Sequence, residues 1–218
     1  MLQVTAKPLY MGSTSKKTLS NRYKVFEIRT TFIFQHKKMK HITTPLRIRH
    51  TQYTDLSQLQ SIYAQARTFM AKTGNPTQWT NNYPSDDILK SDIKSNSSFV
   101  IEQGNDIVAT FVLQAGDDPT YQTIYKGQWL NNKPYATIHR IASNGRVKGI
   151  FQFVVQYAQQ LYNNLRIDTH HDNLIMQHAI KKAGFKYCGI IHTHNDSERL
   201  AYQWQTNNTK ADKQQQKF

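Results

Sequence analysis

Between Leu46 and Gln205 the spacing of apolar residues switches repeatedly between a period of two and a period of 3.6, which limits this stretch to alternating strands and helices. Leu46-Arg47-Ile48-Arg49-His50 alternates as a strand does. Leu56, Leu59, Ile62, Tyr63, Ala66, Phe69 and Met70 then recur at helical spacing, with Thr54 as the expected cap and Gly74-Asn75-Pro76 as the stop. Ser85 is the expected cap of a second, short helix bearing Ile88, Leu89 and Ile93. Ser98–Glu102 and Ile107–Leu113 flank the turn pair Gly104-Asn105 and read as a hairpin. Residues 115–134 read as loop, with a short strand expected at Gln122–Tyr125. Tyr135–Ser143 is a further strand. Strict alternation puts Tyr135, Thr137, His139, Ile141 and Ser143 on one of its faces and Ala136, Ile138, Arg140 and Ala142 on the other.

The pattern continues past residues 144–149 into a long amphipathic helix, where Val147, Ile150, Val154, Ala158 and Leu161 share a face. Leu165–Asp168 is a short strand. Thr169-His170-His171-Asp172 has the spacing of a capping box, with Thr169 or Asp172 as the cap. The helix that follows carries Met176, Ala179, Ile180 and Ala183 inward and stops at Gly184. Tyr187–Thr193 and Arg199–Gln205 read as a closing antiparallel pair. The expected fold class is α/β of the mixed α+β kind: a central mixed, mostly antiparallel sheet of six or seven strands flanked by about four helices.

Composition excludes several function classes. Cys188 is the one cysteine among 218 residues, so neither an intramolecular disulfide nor a multi-cysteine zinc site is available. No apolar run approaches the roughly 20 residues of a membrane helix, and no secretory h-region opens the chain. The expected setting is the cytoplasm. The net charge of +14 invites a nucleic-acid reading, but it is unevenly placed. Residues 1–38 hold 8 Lys and Arg against 1 Glu, and 206–218 hold 3 Lys against 1 Asp. Residues 39–205 hold 17 against 12, a mild excess that suits a small anionic ligand as well as RNA. The expected organisation is a basic extension over 1–38, a folded domain over 39–205 and a polar tail over 206–218. Met39 offers a second plausible start; the rival reading makes 1–38 a basic arm for nucleic acid or a partner.

The junction 144–149 carries the chemical signal. A strand, a turn containing Gly145 and Gly149, and a helix N-terminus together present unpaired amides and a favourable dipole to an anion. Arg146 and Lys148 add positive charge there. The junction lacks the GK[ST] of a Walker loop and the GxGxxG of a dinucleotide fold. By itself such a junction is more often an ordinary connection.

Two blocks resemble the GNAT superfamily of acyl-CoA-dependent N-acyltransferases, over about residues 46–205. The family's Q/R-x-x-G-x-G/A is matched by Arg146-Val147-Lys148-Gly149-Ile150-Phe151, with Phe151 in place of the last small residue. The second block is Asn173 followed by Gly184-Phe185 after a strand. Gly74-Asn75-Pro76-Thr77-Gln78-Trp79 is similar to acceptor-side loops of small bacterial members. The resemblance implies acetyl-CoA as co-substrate, with its pyrophosphate on the amides of Arg146, Val147, Lys148, Gly149 and Ile150. It implies that the backbone of Ile141 and Ser143 pairs with the pantetheine arm, that Asn173 contacts the arm, and that Gln78 and Trp79 line an acceptor pocket. It implies a primary amine, small molecule or peptide N-terminus, as acceptor.

The sequence departs from the family at the acid that protonates the leaving thiolate. Relatives often place a Tyr seven residues after the helix Asn, where this chain has Ile180. Tyr157, Tyr187 or water are the substitutes considered. His139, on the strand before the loop, is the candidate base, histidine being the usual side chain for that role; the plain alternative is a hydrogen-bonded structural histidine. Asp117 and Asp118 are candidates to attract a cationic amine or simply members of a solvated loop. Asp168 is expected to pair with a nearby Lys or Arg. No His, Cys and carboxylate set has zinc spacing, so no metal is expected. The second function class is a degenerate member of the fold that binds acyl-CoA or nucleic acid without chemistry. The reading admits a homodimer and expects no membrane partner.

Overall fold

The computed structural model describes residues 44–206. The expectations for 1–38 and for most of the 206–218 tail lie outside the described residues. Seven strands form one sheet: β1 (Leu46–His50), β2 (Ser98–Gln103), β3 (Asp106–Ala115), β4 (Ala136–Ser143), β5 (Asn164–Thr169), β6 (Lys186–His192) and β7 (Glu198–Gln205). Their order is β1-β2-β3-β4-β5-β7-β6. All neighbours are antiparallel except β4 and β5. Four helices accompany them: α1 (Leu56–Lys72), α2 (Asp86–Lys94), α3 (Ile150–Leu161) and α4 (Leu174–Lys182). None is long and apolar enough to cross a membrane.

Two apolar clusters cover the two faces of the sheet, as the strand period of two requires. Val154, Val155 and Ala158 of α3 and Ile180 of α4 pack with Ile101, Phe111, Ile138, Leu165 and Tyr202 on one face. Leu59, Ile62 and Tyr63 of α1 and Leu89 of α2 pack with Val100, Ile107 and Ala142 on the other. The loop between β3 and β4 closes a third cluster, with Tyr121 and Tyr135 over Ile191 and Ala201.

Local capping departs from expectation in two places. Thr54 falls inside a 3₁₀ turn, Tyr53–Asp55, and does not cap α1. The Asp55 carboxylate instead takes the Gln52 amide at 2.8 Å and Arg49 at 2.7 Å. Neither Thr169 nor Asp172 caps α4: β5 runs on through Thr169, and Asn173 caps the helix by accepting from the Met176 amide at 3.1 Å. Ser85 does cap α2. Of the strand expected at Gln122–Tyr125 only a single bridge from Tyr125 to Ile190 forms, after a 3₁₀ turn at Pro119–Tyr121.

Candidate active site

The alternation expected along β4 breaks at Arg140. Thr110 faces Ala142 and Val112 faces His139, so one extra residue sits in β4. Arg140 absorbs it with a left-handed φ of +50°. This is a β-bulge, which re-aims the side chains beyond it. Ile138 and Ala142, expected on one face, therefore pack into opposite clusters, and Ile141 joins the α3 side. His139 consequently does not share a face with Ile141.

The bulge is tied down from the helical side. The Tyr63 hydroxyl donates to the Arg140 carbonyl at 3.1 Å, and the Arg140 guanidinium donates twice to Asp92, at 2.9 and 2.7 Å. Burial acts most strongly on this guanidinium and works to lower its pKa; Tyr83 and Asp92 more than offset that and hold it well above the usual arginine range.

Past the bulge the sheet opens. β4 pairs with β5 only from Ala136 to Ile138, against Leu165 to Ile167. β4 continues to Ser143 and β5 to Thr169 without pairing to each other. Two parallel strands that separate in mid-sheet leave backbone groups free for an inserted chain. A cleft of ≈ 1290 Å³ runs through this opening. On one side it is lined by Ile141, Ser143, Gly145, Ile150, Phe151 and Asn173, and on the other by Gln78, Trp79, Tyr83, Asp118, His139 and Arg199.

His139 stands where the two halves meet. Its Nε2 is 2.9 Å from Asp118 Oδ2, and its Nδ1 is 4.0 Å from Asp168 Oδ1. Asp118 is buried, not part of a solvated loop, and it also accepts from the Thr120 amide and hydroxyl. Burial favours the neutral carboxyl, but the hydrogen bonds from His139 and Thr120 outweigh it and hold Asp118 well below the usual carboxylate range. Asp168 accepts from the Tyr121 hydroxyl at 2.6 Å and lies 3.8 Å from Arg199 Nε. Tyr121 meets the His139 ring edge-on and stacks on Trp129, and Arg166 lies between Trp129 and Tyr135. The imidazole is thus held by one carboxylate and faces a second.

The other expected site residues fall as follows. Gly149 precedes α3 with φ +81°, the conformation that favours glycine, at the head of the α3 amides. Arg146 is exposed beside Asp106, at 3.5 Å, and Arg146, Val147, Lys148 and Gly149 border the cleft's end without lining it. The Gln78 side-chain oxygen accepts from Asn75 and from Asn173, at 2.8 and 2.9 Å, which joins the two halves. Trp79 packs edge-on against Tyr63. Tyr157 and Tyr187 do not line the cleft: Tyr157 packs against Phe99 and Phe111, and Tyr187 is exposed on β6 against Tyr202. Ile180 is fully buried. Cys188 is buried. His170, His171 and Asp172 bring three donor atoms within 4.8 Å, but His170 Nδ1 already accepts from the Asp172 amide. Sequence reasoning missed two candidates: Arg199, which lines the cleft, and Tyr121, which touches His139 and Asp168. Tyr121 sat in an unassigned loop and Arg199 in the alternation of a terminal strand.

A GNAT-family acetyltransferase from Streptococcus agalactiae is 30% identical to this chain, covers 76% of it with 98% of its own length, and superposes with a TM-score of 0.68. A GNAT-family acetyltransferase from Listeria monocytogenes shares the fold at 14% identity, covering 74% of this chain and 95% of its own, with a TM-score of 0.56. The chain belongs to the GNAT family of acetyltransferases. It matches no protein-family profile and no curated protein sequence.

Proposed function

We propose that this protein is an N-acetyltransferase that moves an acetyl group from acetyl-CoA to a primary amine, with His139 as general base. The observation that carries the reading is His139, fixed by Asp118 at the point where β4 and β5 part. The cleft halves suit two reactants. The co-substrate's diphosphate lies at the α3 N-terminus, on amides of Arg146 to Ile150, and its arm runs along the Ile141 and Ser143 backbone toward Asn173. The acceptor enters past Gln78 and Trp79.

The chemistry follows from the imidazole's orientation. With Nε2–H donated to Asp118, Nδ1 carries the lone pair. The acceptor arrives as an ammonium and gives one proton to Nδ1, which passes it to water. The freed amine nitrogen attacks the thioester carbonyl carbon; the N–C bond forms and the C=O electrons move to oxygen. When the tetrahedral intermediate collapses, the C–S bond breaks and the second proton on nitrogen goes to the departing sulfur. This route needs no tyrosine at position 180. Alignment of the reactants by the rigid strands supplies much of the acceleration.

The test is thiol release by the full chain from acetyl-CoA on addition of amines. Release that depends on amine, and that falls by about 10²–10⁴-fold in His139→Gln, is expected for a general base. Acetyl-CoA binding with no amine-dependent release would favour the non-catalytic module.

A further inference from the structure

We infer that Gln78 is a positioning residue: its side-chain oxygen couples the co-substrate half of the cleft to the acceptor half, so that acetyl-CoA arriving at Asn173 sets the acceptor wall. The inference rests on the acetyl-transfer reading of the cleft and goes on to how its two sites communicate.

Residues 73–85 join α1 to α2 and contribute Gln78, Trp79, Asn81 and Tyr83 to the cleft wall. One end of the segment is fastened to the α1 and β4 side. Arg67 donates to the Tyr83 carbonyl at 3.0 Å and Arg140 to the Tyr83 hydroxyl at 3.1 Å. Toward α4 and β7, the segment's side-chain hydrogen bonds among the described residues meet at Gln78. Asn173 Nδ2 donates to its Oε1 at 2.9 Å, and Arg199 Nη2 to its carbonyl at 3.3 Å. Oε1 also takes Asn75 Nδ2 at 2.8 Å, so both of its lone pairs are used and none is left for an acceptor.

Asn173 serves both sides of this contact. Its Oδ1 caps α4 on the Met176 amide, and its amide nitrogen reaches Gln78. The start of α4 and the acceptor wall therefore hang on one side chain. The wall depends on such anchors, because Asn81 and Asn82 hold left-handed φ values of +52° and +58° in succession. Outside glycine that conformation costs free energy and lasts only where the surroundings hold it. A co-substrate arm packed against Asn173 restricts its amide. The restriction passes through Gln78 to the wall, and through Arg199, whose Nε is 3.8 Å from Asp168 Oδ2, toward the His139 end of the cleft.

Hydrogen–deuterium exchange on the full chain, with acetyl-CoA as the probe, tests this without an amine. In the wild type, acetyl-CoA should slow exchange of the backbone amides in 74–83 by at least about five-fold, the lower end of ordinary coupling between two sites. Gln78→Leu, similar in size but without the oxygen, should lose that slowing. Gln78→Glu, whose carboxylate accepts from both asparagine amides, should keep it. Exchange in the first turn of α3 should slow in all three proteins, which shows each to be folded and loaded. Slowing in 74–83 that persists in Gln78→Leu, that Gln78→Glu fails to keep, or that is missing from a wild type protected at α3, overturns the inference and leaves the acetyl-CoA site standing. No protection at α3 in any of the three overturns the acetyl-transfer reading beneath it.

Discussion

His139 Nε2 lies 2.9 Å from Asp118 Oδ2, although one residue belongs to β4 and the other to the loop that follows β3. In the proposed reaction this contact selects which imidazole nitrogen meets the amine. Asp118→Asn removes the fixed acceptor and lets the ring turn. The expected result is a kcat lower by about 10²-fold or more, with the KM for acetyl-CoA unchanged, because tautomer control serves the chemical step alone. Steady-state kinetics on both substrates checks it.

The same pair has a pH signature. Asp118 is held below its ordinary value, so it binds its proton less readily in the folded chain than in the unfolded one. Its contribution to stability is present above the ordinary carboxylate range, about pH 4, and is lost as pH falls toward the depressed folded value. Thermal melts of the wild type should therefore lose stability below about pH 4 more steeply than melts of Asp118→Asn. Parallel curves would assign acid sensitivity to other groups.

Gly149 separates two effects at the head of α3. Its φ of +81° strains any side chain there by about 1 kcal/mol. Gly149→Ala should lower the melting temperature by a few degrees and keep acetyl-CoA affinity within a few-fold. Gly149→Glu carries the same strain plus a negative charge beside the diphosphate, and calorimetry should find binding abolished.

Arg140 and Asp92 hold the bulge. Asp92 is buried, Arg140 is half-buried, and two hydrogen bonds join them. Asp92→Ala leaves the guanidinium without its counter-charge, and denaturant unfolding should report a loss of about 3–5 kcal/mol. Activity should fall further than the folded fraction does, because the bulge also sets the position of His139.

Gly127 seats the loop that brings Tyr121 to Asp168. A Cβ at Gly127 would lie 2.0 Å from the Cys188 carbonyl oxygen, so the loop must move. Gly127→Ala should cut acetyl transfer strongly, since a displacement of about 1 Å can cost on the order of 10²-fold. Its melting temperature should fall as well. Unchanged kinetics would show that Tyr121 does not position Asp168.

The helices were legible because each keeps one hydrophobic period over its length, and the strands because short apolar runs are set off by turn residues. The α3 junction was legible through its glycines. The bulge was not, because its left-handed residue is Arg140, where a glycine would have signalled the irregularity. That one residue reverses the faces beyond it, so His139 was paired with the wrong neighbours. The Asp118 contact joins residues 21 apart through a loop, and no local spacing encodes it. The cap of α4 was misplaced because Thr169 extends β5, and tertiary pairing with Leu200 overrides its capping preference.

A crystal structure of the full chain with acetyl-CoA tests the central claim most directly. The account predicts the diphosphate against the amides at the start of α3, the arm between the parted ends of β4 and β5, and the thioester carbon on the His139 side of the opening. A complex in which the co-substrate binds elsewhere, or in which the Phe151 ring fills the corner intended for the diphosphate, would contradict it.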